Sequence, residues 1–187
     1  MVRGGGGQTL NTWTTGGDGY SPAMSLKVGQ ALTPALLERL SQRDLESRLG
    51  LALPLVTVDA GRRPHPMLIS YLELRAYDAS TVGLVIRAGS DSADNLAERQ
   101  VATLVITEPD VVAYVKLRRI DGPLPVKEDP RLAYFLLAVE EVREDAASPE
   151  EGDARIVGGP RFAPVLRLDS PWARVTLAAV SRPRARA

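Results

Sequence analysis

Where a run of strand-forming residues gives way to a helix-like stretch, the chain reads Arg87-Ala88-Gly89-Ser90-Asp91-Ser92-Ala93-Asp94-Asn95-Leu96. These residue types at such a joint can hold an anion. The first N–H groups of a helix have no intrahelical acceptor, and the helix dipole adds partial positive charge at the same place. Ser90, Ser92 and Asn95 are residues that cap helix starts, and their side chains can also reach a phosphate. The two roles are compatible, and the sequence leaves both open. Arg87 is either a solvated strand-end residue or a guanidinium clamp, which suits bidentate contact with an oxyanion. Asp91 opposes a bound phosphate unless its carboxylate turns outward. Set among short strands, this joint points to a small β-barrel holding a phosphate-bearing ligand.

Other residues offer less chemistry. There is no cysteine, which excludes disulfides, thiolate metal sites and cysteine nucleophiles. The single histidine, His65, lies between two prolines and has no second histidine for a metal pair. It reads as a turn or half-buried imidazole, and no carboxylate placed to orient a catalytic base accompanies it. Gly4 to Gly7 lack the lysine and helix that a phosphate loop requires. Lys116 and Arg118 alternate on one strand face with Tyr114, as on a solvated sheet or at a ligand or dimer contact. Tyr71 and Trp172 read as core or interface aromatics.

The elements that must position these groups follow from pattern. Thr33-Pro34 opens a helix, with Leu36, Leu37, Leu40, Leu45 and Leu49 at near-helical spacing through Arg48 and Gly50 as its stop. Leu51 to Val58 is a continuous apolar run, expected to be a strand buried on both faces. Asp59 to Pro64 turns the chain. Strands are then expected at 65–76, 81–88, 101–107 and 111–120, joined by turns too short for parallel crossovers. Asp129-Pro130 opens an expected helix with Leu132, Phe135, Leu136 and Val139 as its stripe, although Ala138, Val139 and Val142 suit a strand equally. Residues 146–153 read as loop, 161–168 as a sixth strand, and Ser170-Pro171-Trp172 as the start of a last helix.

At 187 residues, 44% hydrophobic and 25% charged, the chain has the composition of one soluble globular domain. Lys plus Arg and Asp plus Glu number 23 each, so no net field recruits nucleic acid or an anionic membrane. No apolar run reaches the ~20 residues of a membrane span, and no secretory signal pattern opens the chain. Residues 1–23 read as a flexible Gly-rich extension, since Met24 would serve equally as a start. Residues 24–181 read as one domain and 182–187 as a basic tail.

The order of these features resembles a known family. It runs strand, Gly61-Arg62-Arg63-Pro64-His65-Pro66, two strands, a helix start with Gly89, Ser90, Ser92 and Asn95-Leu96, and then Val101-Ala102-Thr103-Leu104-Val105-Ile106. This combination, over about residues 34–162 and including Val142-Arg143-Glu144-Asp145, is similar to the pyridoxamine 5′-phosphate oxidase-like proteins, the FMN-binding split β-barrels. The resemblance implies a mainly β fold with flanking helices, a six-stranded antiparallel Greek-key split barrel. It also implies a homodimer with FMN in the cleft between subunits. The strand from His65 to Ser70 would then run along the isoalloxazine and ribityl chain, which makes Met67, Ser70, Arg87, Ser90, Ser92 and Asn95 the candidate cofactor-binding residues. In the oxidases that strand begins with Arg and ends with Lys, and Arg-Lys follows the serine matching Ser90. Here those positions are His65, Ser70, Asp91 and Ser92.

The sequence reading is therefore an FMN-dependent oxidoreductase acting on an unidentified small molecule, cytoplasmic and without metal. The flavin would carry the hydride chemistry, so no protein nucleophile need be visible. The alternatives are a non-catalytic or stress-related flavin binder, or a relative using deazaflavin F420 or haem.

Overall fold

In a computed structural model of the chain, the described residues are 25–109, 111–145, 156–181 and 183. The expectations for residues 1–23, for the 146–153 loop and for all of the basic tail except Pro183 lie outside them. The strands form one antiparallel sheet of eight, two more than the six expected. They are β1 (Ser25–Gly29), β2 (Ala52–Val58), β3 (Pro64–Ser70), β4 (Leu74–Ala76), β5 (Thr81–Arg87), β6 (Val101–Glu108), β7 (Val111–Pro125) and β8 (Leu132–Asp145). The order across the sheet is β3-β2-β6-β7-β8-β5-β4, with β1 also pairing β8. Helices α1 (Pro34–Leu40), α2 (Asp91–Arg99) and α3 (Pro171–Val180) flank it.

The segment expected as a helix after Asp129 is strand β8, paired with both β7 and β5. Leu132 to Leu137 are all buried. Six consecutive apolar and aromatic side chains bury fully only between two layers. A central strand with the inner core on one face and α3 on the other supplies those layers. Asp129 ends the preceding loop as a turn instead, accepting from the backbone N–H of Leu132 and Arg131. Residues 161–168 form no strand; Arg161 makes one isolated bridge to Leu51. The expected 34–48 helix stops at Leu40, because Gln42 takes a left-handed φ of 63° and only a 3-10 turn, Glu46–Arg48, follows. Strand β2 alternates buried and half-buried residues, so it covers one face of the core and not two. The strand expected over 65–76 is divided at Tyr71–Glu73 into β3 and β4.

The main core fills the concave side, with Leu55, Leu84, Ile86, Leu104 and Phe135 fully or almost fully buried. Each such side chain contributes about 1.5–3 kcal/mol through apolar area removed from water. A smaller cluster on the other side packs Val85, Tyr134 and Leu136 against Ala179 and Val180 of α3. The end of β6 is tied to α1 by charge. Glu108 Oε2 accepts from Arg39 at 2.9 Å and from Arg48 at 2.7 Å, while Tyr71 donates its hydroxyl to Oε1. Arg48 also stands over the Tyr71 ring, 5.6 Å from its centroid.

Candidate functional site

The hairpin between β2 and β3 determines what the outermost strand offers a ligand. Antiparallel pairs alternate between those that exchange backbone hydrogen bonds and those that do not. Asp59 N–H donates to the Arg63 carbonyl at 2.9 Å, and the register continues through Thr57↔His65 and Leu55↔Met67. The odd-numbered residues of β3 therefore bond to β2, and the even-numbered ones turn their backbone groups to the free edge. Pro64 and Pro66 occupy that second set, where a missing N–H costs the ladder nothing. Ser70 obeys the same parity: its N–H leaves the sheet and donates to Glu73 Oε2 at 2.7 Å. Along the edge, the carbonyls of Pro64, Pro66 and Leu68 face outward with a single open N–H, that of Leu68.

The edge ends at a corner where four elements meet. Ser70 donates its hydroxyl as well as its N–H to Glu73 Oε2, at 2.8 Å. Burial pushes the Glu73 carboxyl above its usual range, and the two Ser70 hydrogen bonds oppose that rise. Val85 N–H donates to the Glu73 carbonyl at 2.8 Å, which extends the β4–β5 register one step. Glu73 thus lies across from Val85, and Arg87, two residues further along the same face of β5, is its diagonal neighbour. Arg87 is exposed, and its guanidinium makes no ion pair or hydrogen bond among the described residues.

From Arg87 the chain turns through Gly89, whose φ of 69° suits a residue without Cβ. Ser90 is the N-cap of α2: its hydroxyl accepts from Ala93 N–H at 3.3 Å and donates to the Arg87 carbonyl at 2.8 Å. Ser92 is buried in the first turn, while Asp91 and Asp94 are exposed there. Asn95 donates to Thr57 Oγ1 at 3.2 Å, and Thr57 donates in turn to the His65 carbonyl at 3.2 Å. Arg99 Nε donates to the Asp59 carbonyl at 2.7 Å. These bonds fix α2 along β2 and β3, and half-buried Met67 is on the same side of β3 as His65.

Of the candidate residues, Arg87, Ser90 and Ser92 gather at one joint, and Met67 and Asn95 lie at the β3–α2 junction. Ser70 stands at the neighbouring corner, engaged by Glu73. Sequence reasoning missed Glu73 and Leu68. The Ser70-x-x-Glu73 spacing at a strand end was the signal for the first, and the even-numbered prolines about Gly61 were the signal for the second.

The sheet begins at β3 and ends at β4, and these adjoin through a three-residue corner without pairing along their length. The chain folds as a split barrel. The chain is similar, at low identity, to several solved structures. An FMN-binding protein from Syntrophomonas wolfei subsp. wolfei matches at 14% identity and a TM-score of 0.44, covering 61% of this chain and 91% of that one. A candidate pyridoxamine 5′-phosphate oxidase from Lactobacillus delbrueckii matches at 20% and 0.42, covering 62% and 97%. An F420 reductase matches at 14% and 0.38, covering 54% and 92%. No family model and no curated protein matches this chain.

The convex face of this split barrel is apolar near β3 and charged toward β8. Leu68 is 52% exposed and Val101 38%, with Pro64 and Pro66 also exposed beside them. A shallow cleft of about 350 Å³ opens there, lined in part by Val56, Val58, Pro64, Val101, Thr103 and Lys116. Beyond it, Glu141 takes Lys27 at 3.1 Å and Lys116 at 3.0 Å, and Arg118 pairs with Glu140. The two lysines hold the Glu141 carboxyl at about 2, well below its usual value. Among the described residues no group of three or more His, Asp and Glu could hold a metal ion, and no helix is long and apolar enough to cross a membrane.

Proposed function

We propose that this split barrel binds FMN along the free edge of β3, closed by a second copy of the chain, and that the complex is an oxidoreductase acting on a small molecule. The observation that carries the reading is the β3 edge itself. It offers one open amide, at Leu68, next to a helix entrance whose neighbouring cation, Arg87, has no carboxylate bound to it among the described residues. A flavin presents an adjacent C=O and N–H on its pyrimidine ring, a pattern that pairs with the N–H and C=O of a single strand residue as a neighbouring strand would.

The donors fit the rest of the group. The N–H groups of Asp91 and Ser92 open α2, and with the Arg87 guanidinium they can take a phosphate. Ser90 shapes that entrance by capping it, and Met67 and Asn95 pack the junction behind the edge. When bound, FMN supplies hydride and electron transfer, and the chain's own residues bind it, orient it and keep water from it. The exposed apolar strip of Pro64, Pro66, Leu68 and Val101 suits the face of a second copy, which would cover the open side of the ring.

The test is reconstitution. Purified protein titrated with FMN should quench flavin fluorescence, and the complex should run at about twice the 20.1 kDa chain mass by light scattering. Arg87→Ala should weaken FMN by about tenfold to a hundredfold, the loss of one charge-assisted contact, and leave riboflavin nearly unchanged. A wild-type protein that binds neither flavin would sink the reading. An intense Soret band in the purified protein would replace it with haem.

A further inference from the structure

We infer that Glu73 is a specificity-determining residue that closes the Ser70 end of the β3 edge to anions and accepts hydrogen-bond donors there. The inference rests on the proposed seating of a flavin on this edge and adds which way the ligand must lie. Both donors of Ser70 are spent on one carboxylate oxygen, at 2.7 and 2.8 Å, so Ser70 has no proton left for a phosphate. Along the same edge only carbonyl oxygens follow, apart from the Leu68 N–H. The margin from Pro64 to Leu68 is therefore rich in acceptors, and the Glu73 carboxylate beyond it repels negative charge.

The opposite character begins one diagonal step away, at Arg87 and the N-terminus of α2. The Glu73 carboxylate and the Arg87 guanidinium thus belong to one corner, diagonal to each other across the β4–β5 register, with no salt bridge between them and no ion-pair partner for Arg87 among the described residues. A ligand with hydroxyls and a phosphate can satisfy both, with hydroxyls toward Glu73 and phosphate toward Arg87. A phosphate directed at Ser70 meets Glu73 instead. Glu73 therefore lowers the affinity for phosphorylated ligands relative to uncharged ones.

The experiment is a fluorescence titration of FMN and of riboflavin against wild type, Glu73→Gln and Ser70→Ala, with the melting temperature of each variant recorded. The Glu73→Gln change preserves the corner, because the amide oxygen it introduces still accepts both Ser70 donors. Removing a charge one diagonal step, about 7–8 Å, from the phosphate at intermediate dielectric should tighten FMN by about tenfold or more, with riboflavin changed less than about threefold. Ser70→Ala should leave the FMN-to-riboflavin ratio where it is in wild type. Equal effects of Glu73→Gln on both flavins, or a selective loss of FMN in Ser70→Ala, would overturn the inference while leaving the flavin reading intact. Absence of binding by either flavin to wild type and Glu73→Gln alike would overturn both.

Discussion

Replacing Glu108 by Gln should be among the most destabilising isosteric changes available in this chain. The Glu108 side chain is 7% exposed, and the Arg39 and Arg48 side chains on its Oε2 are 14% and 16% exposed. Gln keeps the shape and one accepting oxygen, but leaves two largely buried guanidinium groups without this carboxylate. Breaking a buried ion pair by removing one partner costs about 3–5 kcal/mol. The residual exposure of both arginines lets water compensate in part, which favours the lower figure. For a domain of this size 1 kcal/mol moves Tm by about 2–4 °C, so a drop of about 6–12 °C is expected for a loss near 3 kcal/mol. Tyr71→Phe is the internal comparison. It removes only one charge-assisted hydrogen bond, worth about 1.5–3 kcal/mol, and leaves both arginines on Glu108. Urea and thermal denaturation followed by circular dichroism would measure both variants. A Glu108→Gln loss smaller than that of Tyr71→Phe would refute the idea that the charge cluster, and not the tyrosine hydroxyl, fastens α1 and the 3-10 turn to β6.

Gly83→Ala should destabilise by about 1–3 kcal/mol, as overpacking of a filled site does, because a Cβ there would sit 2.2 Å from the Tyr77 hydroxyl. The penalty should largely disappear in a Tyr77→Ala background, which a urea double-mutant cycle would show. Glu73→Gln should also change the pH dependence of stability. A carboxyl whose folded pKa is raised gives stability that is complete below its unfolded value, about 4.5, and is lost as pH rises through the folded value. The variant should therefore melt higher than wild type at pH 7, with the difference shrinking toward zero below about pH 4.5; a constant difference across that range would mean that burial does not govern this group.

What the sequence disclosed tracks how local each signal is. The β5–α2 joint was legible because Gly89, Ser90 and the residues after them encode a turn and a cap within a few positions. Strand β8 was not, since Tyr134 to Leu137 are apolar at every position and fit either period; the choice is made by β7 and β5 on its two sides. The end of α1 was missed because Gln42 gives no warning of its left-handed φ. Its amide is held by three distant carbonyls, those of Tyr71, Leu72 and Leu74. Strands β1 and β4 are short and owe their pairing to β8 and β5. At the candidate site, the joint residues were visible by type, whereas the engagement of Ser70 by Glu73 depends on the corner that divides β3 from β4. The family resemblance supplied the fold expectation and drew attention to Ser70, but it held no information on which group would occupy that serine.

The prolines of β3 also govern how copies of this protein can meet. A strand at the margin of a sheet invites the same strand of another molecule to continue the ladder, and with it open-ended association. Here only the Leu68 N–H remains to be offered across that margin, so two β3 strands laid side by side could exchange too few bonds to hold. At the other margin, β4 is three residues long and has little ladder to extend. These two margins thus end themselves, one by missing donors and the other by brevity. Neither of these two margins therefore extends into one ribbon that grows from chain to chain, and copies that pack beside them meet face against face as separate sheets.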